Sequence, residues 1–176
     1  MVRKKVYTKE HILSAAQELL VSKGFSFITA RNVADHMGIS TQPIYLEFKN
    51  MEDLKLTMLN KIHEQLEKDF FSQEHTGNSL IDFGMSYLHL AKENSALYLS
   101  LYSDKHSYGA ELQKLSLNFF KSLIGKDQNY LSFSDEQIEA THMKLWIIAT
   151  GIASLSMSGI MQLSEEELFK AFNVVG

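Results

Sequence analysis

The sequence predicts an all-helical chain in two parts, on three observations. Apolar residues recur at helical spacing in nearly every segment, and no stretch alternates as a half-buried strand does. Strong breakers are scarce: one Pro and nine Gly in 176 residues. A polar run, Ser72-Gln-Glu-His-Thr-Gly-Asn78, has no apolar side chain and marks a boundary. The expected layout is a small three-helix unit over 1–50, a linking helix over 51–71, and a helical body over 72–176.

The first helix is expected over about 8–23, burying Ile12, Ala15, Ala16, Leu19 and Leu20 and stopping at Gly24. Phe25, Phe27 and Ile28 then cover the base of a three-helix core. Two short helices follow, over 30–36 and 40–46, separated by Met37-Gly38-Ile39. Thr29 and Ser40 stand where a hydroxyl can accept from free first-turn amides, and Gly38 stands where a helix stop needs positive φ. Val33, Ala34, Met37, Ile44, Tyr45 and Phe48 would face inward. The linking helix carries Leu54, Met58, Ile62 and Leu66 at spacings of four. Later helices are expected over 79–92, 95–103, 108–124, 135–161 and 164–174.

Two short helices joined by a Gly-containing turn form a helix-turn-helix, whose second helix can enter the DNA major groove. An ordinary hairpin in a helical bundle has the same spacing. On the DNA reading, Thr41 and Gln42 in the first turn of the second helix are base-contact candidates, since Gln pairs bidentately with adenine and Thr meets a thymine methyl. Pro43 fits that turn because its missing N–H would be unpaired there anyway. Thr29, Ser40, Arg31 and Lys49 complete the candidate DNA surface, the last two as phosphate contacts.

The first sixty or so residues resemble the N-terminal domain of the tetracycline-repressor (TetR) family of transcriptional regulators. The residues that carry the likeness are Thr8, Ile12, Ala16, Leu20, Gly24, Phe25, Thr29, Val33, Ala34, Gly38, Ile39 and Ser40, continued by Tyr45, Phe48, Lys49, Glu52 and Leu54. The resemblance implies a phosphate contact for Tyr45 and, for the whole chain, a sequence-specific DNA-binding regulator, a repressor. It would bind a pseudo-palindromic double-stranded operator as a homodimer under control of a small effector. Two positions depart from the family pattern: Glu47 stands where His is common, and Met51 where Lys is usual. Each removes a phosphate contact, which weakens binding through reduced counterion release; the basic arm Arg3-Lys4-Lys5 could compensate.

Charge is distributed to match. Residues 1–50 hold seven Lys/Arg against four Asp/Glu, a balance of +3, which leaves −7 for the rest of a chain whose net charge is −4. A basic unit on an acidic body suits a protein that offers one end to a polyanion. Cysteine is absent, which excludes disulfides and thiolate chemistry. The basic N-terminus is followed by no apolar signal region, so a cytoplasmic location is expected.

In the body, Phe83, Tyr87, Tyr98, Tyr102, Phe119 and Trp146 could line a cavity for a small apolar or aromatic ligand, although plain core packing explains each of them singly. From Leu145 to Leu163 nineteen residues carry no charge. A membrane span is the rival there, opposed by the interspersed Ser and Thr and by the Glu165-Glu166-Glu167 that follows. Thr150, Ala153, Ser154 and Ser158 supply small residues at spacings that permit close helix approach across a two-fold axis. The pattern around Trp146, Thr150, Gly151 and Leu155 resembles a TetR subclass that dimerises through this helix. No cofactor or metal is expected. Glu139-Ala-Thr-His142 has the spacing of a carboxylate–histidine metal bundle, but no second such pair exists to complete it. A metal-dependent bundle enzyme is therefore the remote alternative, behind a TetR-fold protein that binds ligand or partner but has lost DNA binding.

Overall fold

The computed structural model describes residues 7–173; the Arg3-Lys4-Lys5 arm and Val174 lie outside them. Among the described residues there are nine α-helices and no strand: α1 (Lys9–Lys23), α2 (Ala30–Met37), α3 (Gln42–Glu47), α4 (Met51–Leu66), α5 (Ser79–Glu93), α6 (Ser95–Tyr102), α7 (Gly109–Ile124), α8 (Asp135–Met157) and α9 (Glu165–Asn173). The chain divides into two compact units. One comprises residues 1–62 with 104–106, the other residues 63–103 with 107–176.

In the first unit, α1 starts on a capping box, Thr8 Oγ1 accepting from the His11 amide while His11 Nδ1 accepts from the Thr8 amide. Its apolar face, Ile12, Leu13, Ala15, Ala16, Leu19 and Leu20, is buried against α2 and α3. Phe25 and Ile28 close the base of the core, but Phe27 does not: its side chain is about half exposed, and it contributes through its backbone, the carbonyl accepting from Asn32 Nδ2 and the amide donating to the Gly24 carbonyl. The 3₁₀ turn over Phe25–Phe27 turns successive side chains by about 120°, so two apolar residues two apart cannot both face in. His36 on α2 meets Glu18 on α1 at 2.7 Å, and Lys9 Nζ lies 5.2 Å from the Phe48 ring centroid.

In the second unit α8 packs along α5, and α6, α7 and α9 surround that pair. Asn78 caps α5 by accepting from the Leu80 and Ile81 amides. Ser134 and Gln137 make a reciprocal capping box on α8. That helix ends four residues before the sequence pattern suggests. The Ile160 amide reaches back to the Leu155 carbonyl and the Gly159 amide to Ser156, the paired bonds of a Schellman stop. No helix among the described residues is long and apolar enough to cross a membrane.

One close approach holds α9. Gly84 on α5 lies directly under the ring of Phe172, which is buried, and a Cβ built at Gly84 would fall on that ring. Gly84→Ala is therefore expected to overpack the contact and lower stability by about 1–3 kcal/mol, read as a reduced urea midpoint. An unchanged midpoint would show that α9 is free to shift off α5.

Candidate nucleic-acid interface

The turn between α2 and α3 is built by one glycine. Gly38 has φ of 66° and ψ of 38°, its amide bonds the Asp35 carbonyl, and the next amide, of Ile39, bonds Ala34. This is again a Schellman stop, and at such φ a side chain would be strained. Thr29 caps α2, its hydroxyl accepting from the Asn32 amide at 3.1 Å, a contact worth about 1 kcal/mol.

α3 departs from the sequence reading at its start. It begins at Gln42, not Ser40, and its N-cap Thr41 makes no side-chain capping bond. A Ser40 cap would call on the amide three residues on, and that residue is Pro43, which has none. Pro43 instead occupies the first turn, and Ile44 and Tyr45 donate to the Thr41 carbonyl.

The orientation of α3 follows from Ile44, which is 1% exposed in the core of this unit. Val33, Ala34 and Phe48 are buried with it. Met37 is half-buried, and Tyr45, expected to face inward, is 54% exposed. The reason is helical geometry: Tyr45 is about 100° round from Ile44, so both cannot point to the core. Thr29, Arg31, Ser40, Thr41, Gln42, Tyr45 and Lys49 all have exposed side chains. The first two lie at the start of α2, Ser40 and Thr41 in the turn, Gln42 and Tyr45 on α3, and Lys49 just beyond it. Arg31 is not entirely free, since Asp35 lies 3.8 Å away one turn along α2. The Lys49 backbone amide donates to Asp53 at the head of α4. Glu47 is exposed and Met51 half-buried. Leu46 is 76% exposed. The residue-type reading passed over it, although its place two residues from the buried Ile44 on a helix is a signal that it faces out.

The aromatic set of the second unit is brought together as a packed cluster. Ring centroids of Phe83 and Tyr87, Tyr87 and Tyr102, and Tyr98 and Tyr102 lie 5.3–5.4 Å apart, and Tyr102 and Trp146 lie 6.4 Å apart. Phe119 joins through Phe71, whose ring is 5.7 Å away. A polar chain threads the cluster: the Tyr87 hydroxyl meets Ser116 Oγ at 2.7 Å, and Ser116 Oγ meets His142 Nε2 at 2.8 Å. Burial pushes the Tyr87 and Tyr102 hydroxyls up and lowers His142 to about 4. Trp146 Nε1 approaches the Tyr87 hydroxyl, yet it is buried with no hydrogen-bond partner. Two open grooves lie elsewhere in this unit. One of about 500 Å³ is lined by Phe119, Phe71, Asp82, Ser79, Asp127 and Lys126. The other, of about 580 Å³, lies among Leu88, Ala91, Lys92, Ile152, Met157 and Leu168. Of the six aromatic residues only Phe119 borders either groove.

On α8, Ala153 faces its own chain and is 1% exposed, whereas Ser154 and Ser158 are exposed and Thr150 is intermediate, its carbonyl accepting from the Tyr98 hydroxyl. The outward stripe is instead Ile147, Gly151, Ser154, Leu155 and Ser158, with Ile147 62% exposed. Glu139 and His142 diverge. Glu139 pairs outside with Lys121 at 2.9 Å and His142 bonds Ser116 inside, so the two do not converge on one ion.

Residues 12–57 match the family described as bacterial regulatory proteins, tetR family. The chain is 24% identical over 127 residues to YvkB of Bacillus subtilis (strain 168), an uncharacterized HTH-type transcriptional regulator, the match covering 66% of this chain and 67% of that one. It is similar in structure to a TetR family protein from Vibrio parahaemolyticus, with a TM-score of 0.69, 18% identity and 95% of each chain covered. Fatty acid degradation regulator FadR from Bacillus halodurans superposes with a TM-score of 0.63 at 14% identity, over 98% of this chain and 96% of that one. These likenesses establish the fold.

The low His142 value has a measurable consequence. Between its folded value near 4 and the ordinary 6.5, the unfolded chain binds a proton that the folded chain refuses. The stabilising contribution is full above about pH 6.5 and is lost as pH falls toward 4. Urea midpoints of the wild type are expected to drop across that window more steeply than those of His142→Gln. Parallel curves for the two proteins would assign the drop to other groups.

Proposed function

We propose that this chain, whose N-terminal domain is that of the bacterial tetR-family regulators, is a dimeric transcriptional repressor that binds a pseudo-palindromic operator and is released by a small effector. The observation that carries the reading is the α3 surface: a Gly38 turn and a buried Ile44 leave Gln42 and Tyr45 exposed on one short helix, with Thr41 just before it. Thr41 and Gln42 are assigned to base edges, and Tyr45, Arg31, Lys49 and the Thr29 and Ser40 region to phosphates, which set register and supply the salt-dependent part of affinity.

The effector is assigned to the aromatic cluster of the second unit. A ligand carrying a hydrogen-bond acceptor on an aromatic or apolar frame would satisfy Trp146 Nε1 and stack among Tyr87, Tyr98 and Tyr102. Phe83 and Phe119 would form the outer wall. Since the rings of the cluster pack against one another, binding selects a more open state, and regulation follows from the difference in affinity between two states. A protein of the same fold is described as the flavonoid-responsive regulator FrrA, which supports an aromatic effector for this chain.

Dimerisation is assigned to the outward stripe of α8. Gly151 has nothing within 4 Å of a built Cβ, so a neighbouring helix can approach closely there, flanked by Ile147 and Leu155. Ile147→Glu is expected to convert dimer to monomer in sedimentation equilibrium, since it buries an unpaired charge in an apolar contact. A dimer of undiminished strength would move the interface elsewhere.

Selection of bound duplexes from a randomised pool at two salt concentrations tests the DNA reading. An enriched inverted repeat with a steep salt slope is expected. On that site, Tyr45→Phe should weaken binding to all sequences by about tenfold or more, whereas Gln42→Ala should relax sequence choice at one position by about 1–3 kcal/mol. No enrichment from dimeric protein would replace this reading with a ligand- or partner-binding role.

A further inference from the structure

The side of α3 that faces away from the core follows from where its one buried residue points. With Ile44 at the inner pole and successive residues turned by about 100°, Gln42 and Leu46 each lie roughly 160° away on either side. They straddle the outward pole, while Tyr45 and Glu47 fall on the flanks. Gln42 and Leu46 are one turn apart on the same ridge, separated by about 6 Å along the helix. At the outer pole of this helix the chain therefore carries one amide side chain and one branched apolar side chain, the latter 76% exposed. Single exposed apolar residues are ordinary on protein surfaces. What sets Leu46 apart is that the surface it projects from is the one assigned to base edges, where a Leu has no hydrogen bond to give.

We propose that Leu46 is a specificity residue that reads thymine through its C5 methyl group. The methyl is the one apolar feature among the base edges of the major groove, so it is the feature that an isobutyl side chain can recognise. Gln42, on the same ridge, pairs with an adenine. The roughly 6 Å between them spans at most about two base-pair steps along the duplex axis, so each half-site carries an adenine opposite Gln42 and a thymine within about two pairs of it against Leu46. Glu47, turned back toward the inner side, is kept off the bases, and its charge is felt by the flanking phosphates. This assignment rests on the DNA-binding reading above and adds to it the identity of a base and the atom by which it is read.

The test uses the full-length protein and the enriched site from duplex selection. Each thymine of one half-site is replaced in turn by deoxyuridine, which keeps every hydrogen-bonding group and lacks only the methyl. Binding of wild type and Leu46→Ala is measured on each duplex. At one position the loss of the methyl is expected to weaken wild-type binding about three- to tenfold, the scale of one buried methyl contact. Leu46→Ala should bind the unmodified duplex more weakly by a similar factor and be indifferent to deoxyuridine at that position alone. Non-specific binding should be equal for the two proteins, which also reports that the variant is folded. If every deoxyuridine substitution has the same effect on both proteins, or if the enriched half-site holds no thymine, Leu46 does not read thymine and the DNA-binding reading stands without it. If no duplex is enriched at all, both readings fall together.

Discussion

Burial of Ile44 governs what the first unit can present. A helix of six residues does not form by itself, because nucleation costs more than so few hydrogen bonds return, so α3 exists only as far as the core holds it. Ile44 contributes roughly 1.5–3 kcal/mol by its burial, and Phe48 closes the far end beneath Lys9. The same contact that stabilises α3 fixes its rotation, which decides that Gln42 and Leu46 face out and that Tyr45 lies on a flank. Stability and the direction of the exposed face are not separable in so short an element: a change that rolled Ile44 out of the core would both melt the helix and misdirect its outer face.

The second unit solves a different problem, that of keeping polar atoms inside an aromatic core. Tyr87, Ser116 and His142 satisfy one another in a chain, and burial keeps the imidazole neutral, so that Nε2 can accept from the Ser116 hydroxyl, whose oxygen can accept from Tyr87. His63 is held similarly near Phe71, its Nδ1 donating to Glu67 while Nε2 is buried without a partner. An interior that carries an orphaned acceptor, His63 Nε2, and an orphaned donor, Trp146 Nε1, next to packed rings gives up some stability relative to a wholly apolar one. Such an interior retains chemistry that a bound molecule can complete.

Much of this organisation was legible in the sequence because it depends on short-range physics. Helical period placed Ile12, Ala15, Ala16, Leu19 and Leu20 of α1 and Leu54, Met58, Ile62 and Leu66 of α4 in the core, but passed over Leu13, Leu59 and His63, which are buried as well. Thr29 and Gly38 marked a helix start and stop by the hydroxyl and the missing Cβ those positions need. What was not legible depends on contacts between distant residues or on a rotation. Ser40 reads as a cap by its hydroxyl, but the amide it would accept from is the one Pro43 lacks. Phe27 and Tyr45 read as core by composition, and only the neighbouring Phe25, Ile28 and Ile44, which already occupy the inner positions, turn them out. Ala153 and Ser154 are adjacent and similar in size, yet one faces α8's own neighbours and the other faces away. The aromatic residues of the body were recognisable as a set, but their close packing, and the grooves that lie elsewhere, arise from three-dimensional fit that no periodicity encodes.

The contact between Gly84 and Phe172 has a consequence for how this chain can vary. Its two sides are unequal: Phe172 can be exchanged for a smaller side chain, leaving a void, whereas every replacement of Gly84 adds atoms where the ring already sits. Lineages that drift at the aromatic position can therefore return, while one that fills the glycine must first move or lose the seat of α9. The docking of the last helix is in this sense heritable through an absence. A hydrogen atom, the smallest side chain available, is what keeps α9 in place.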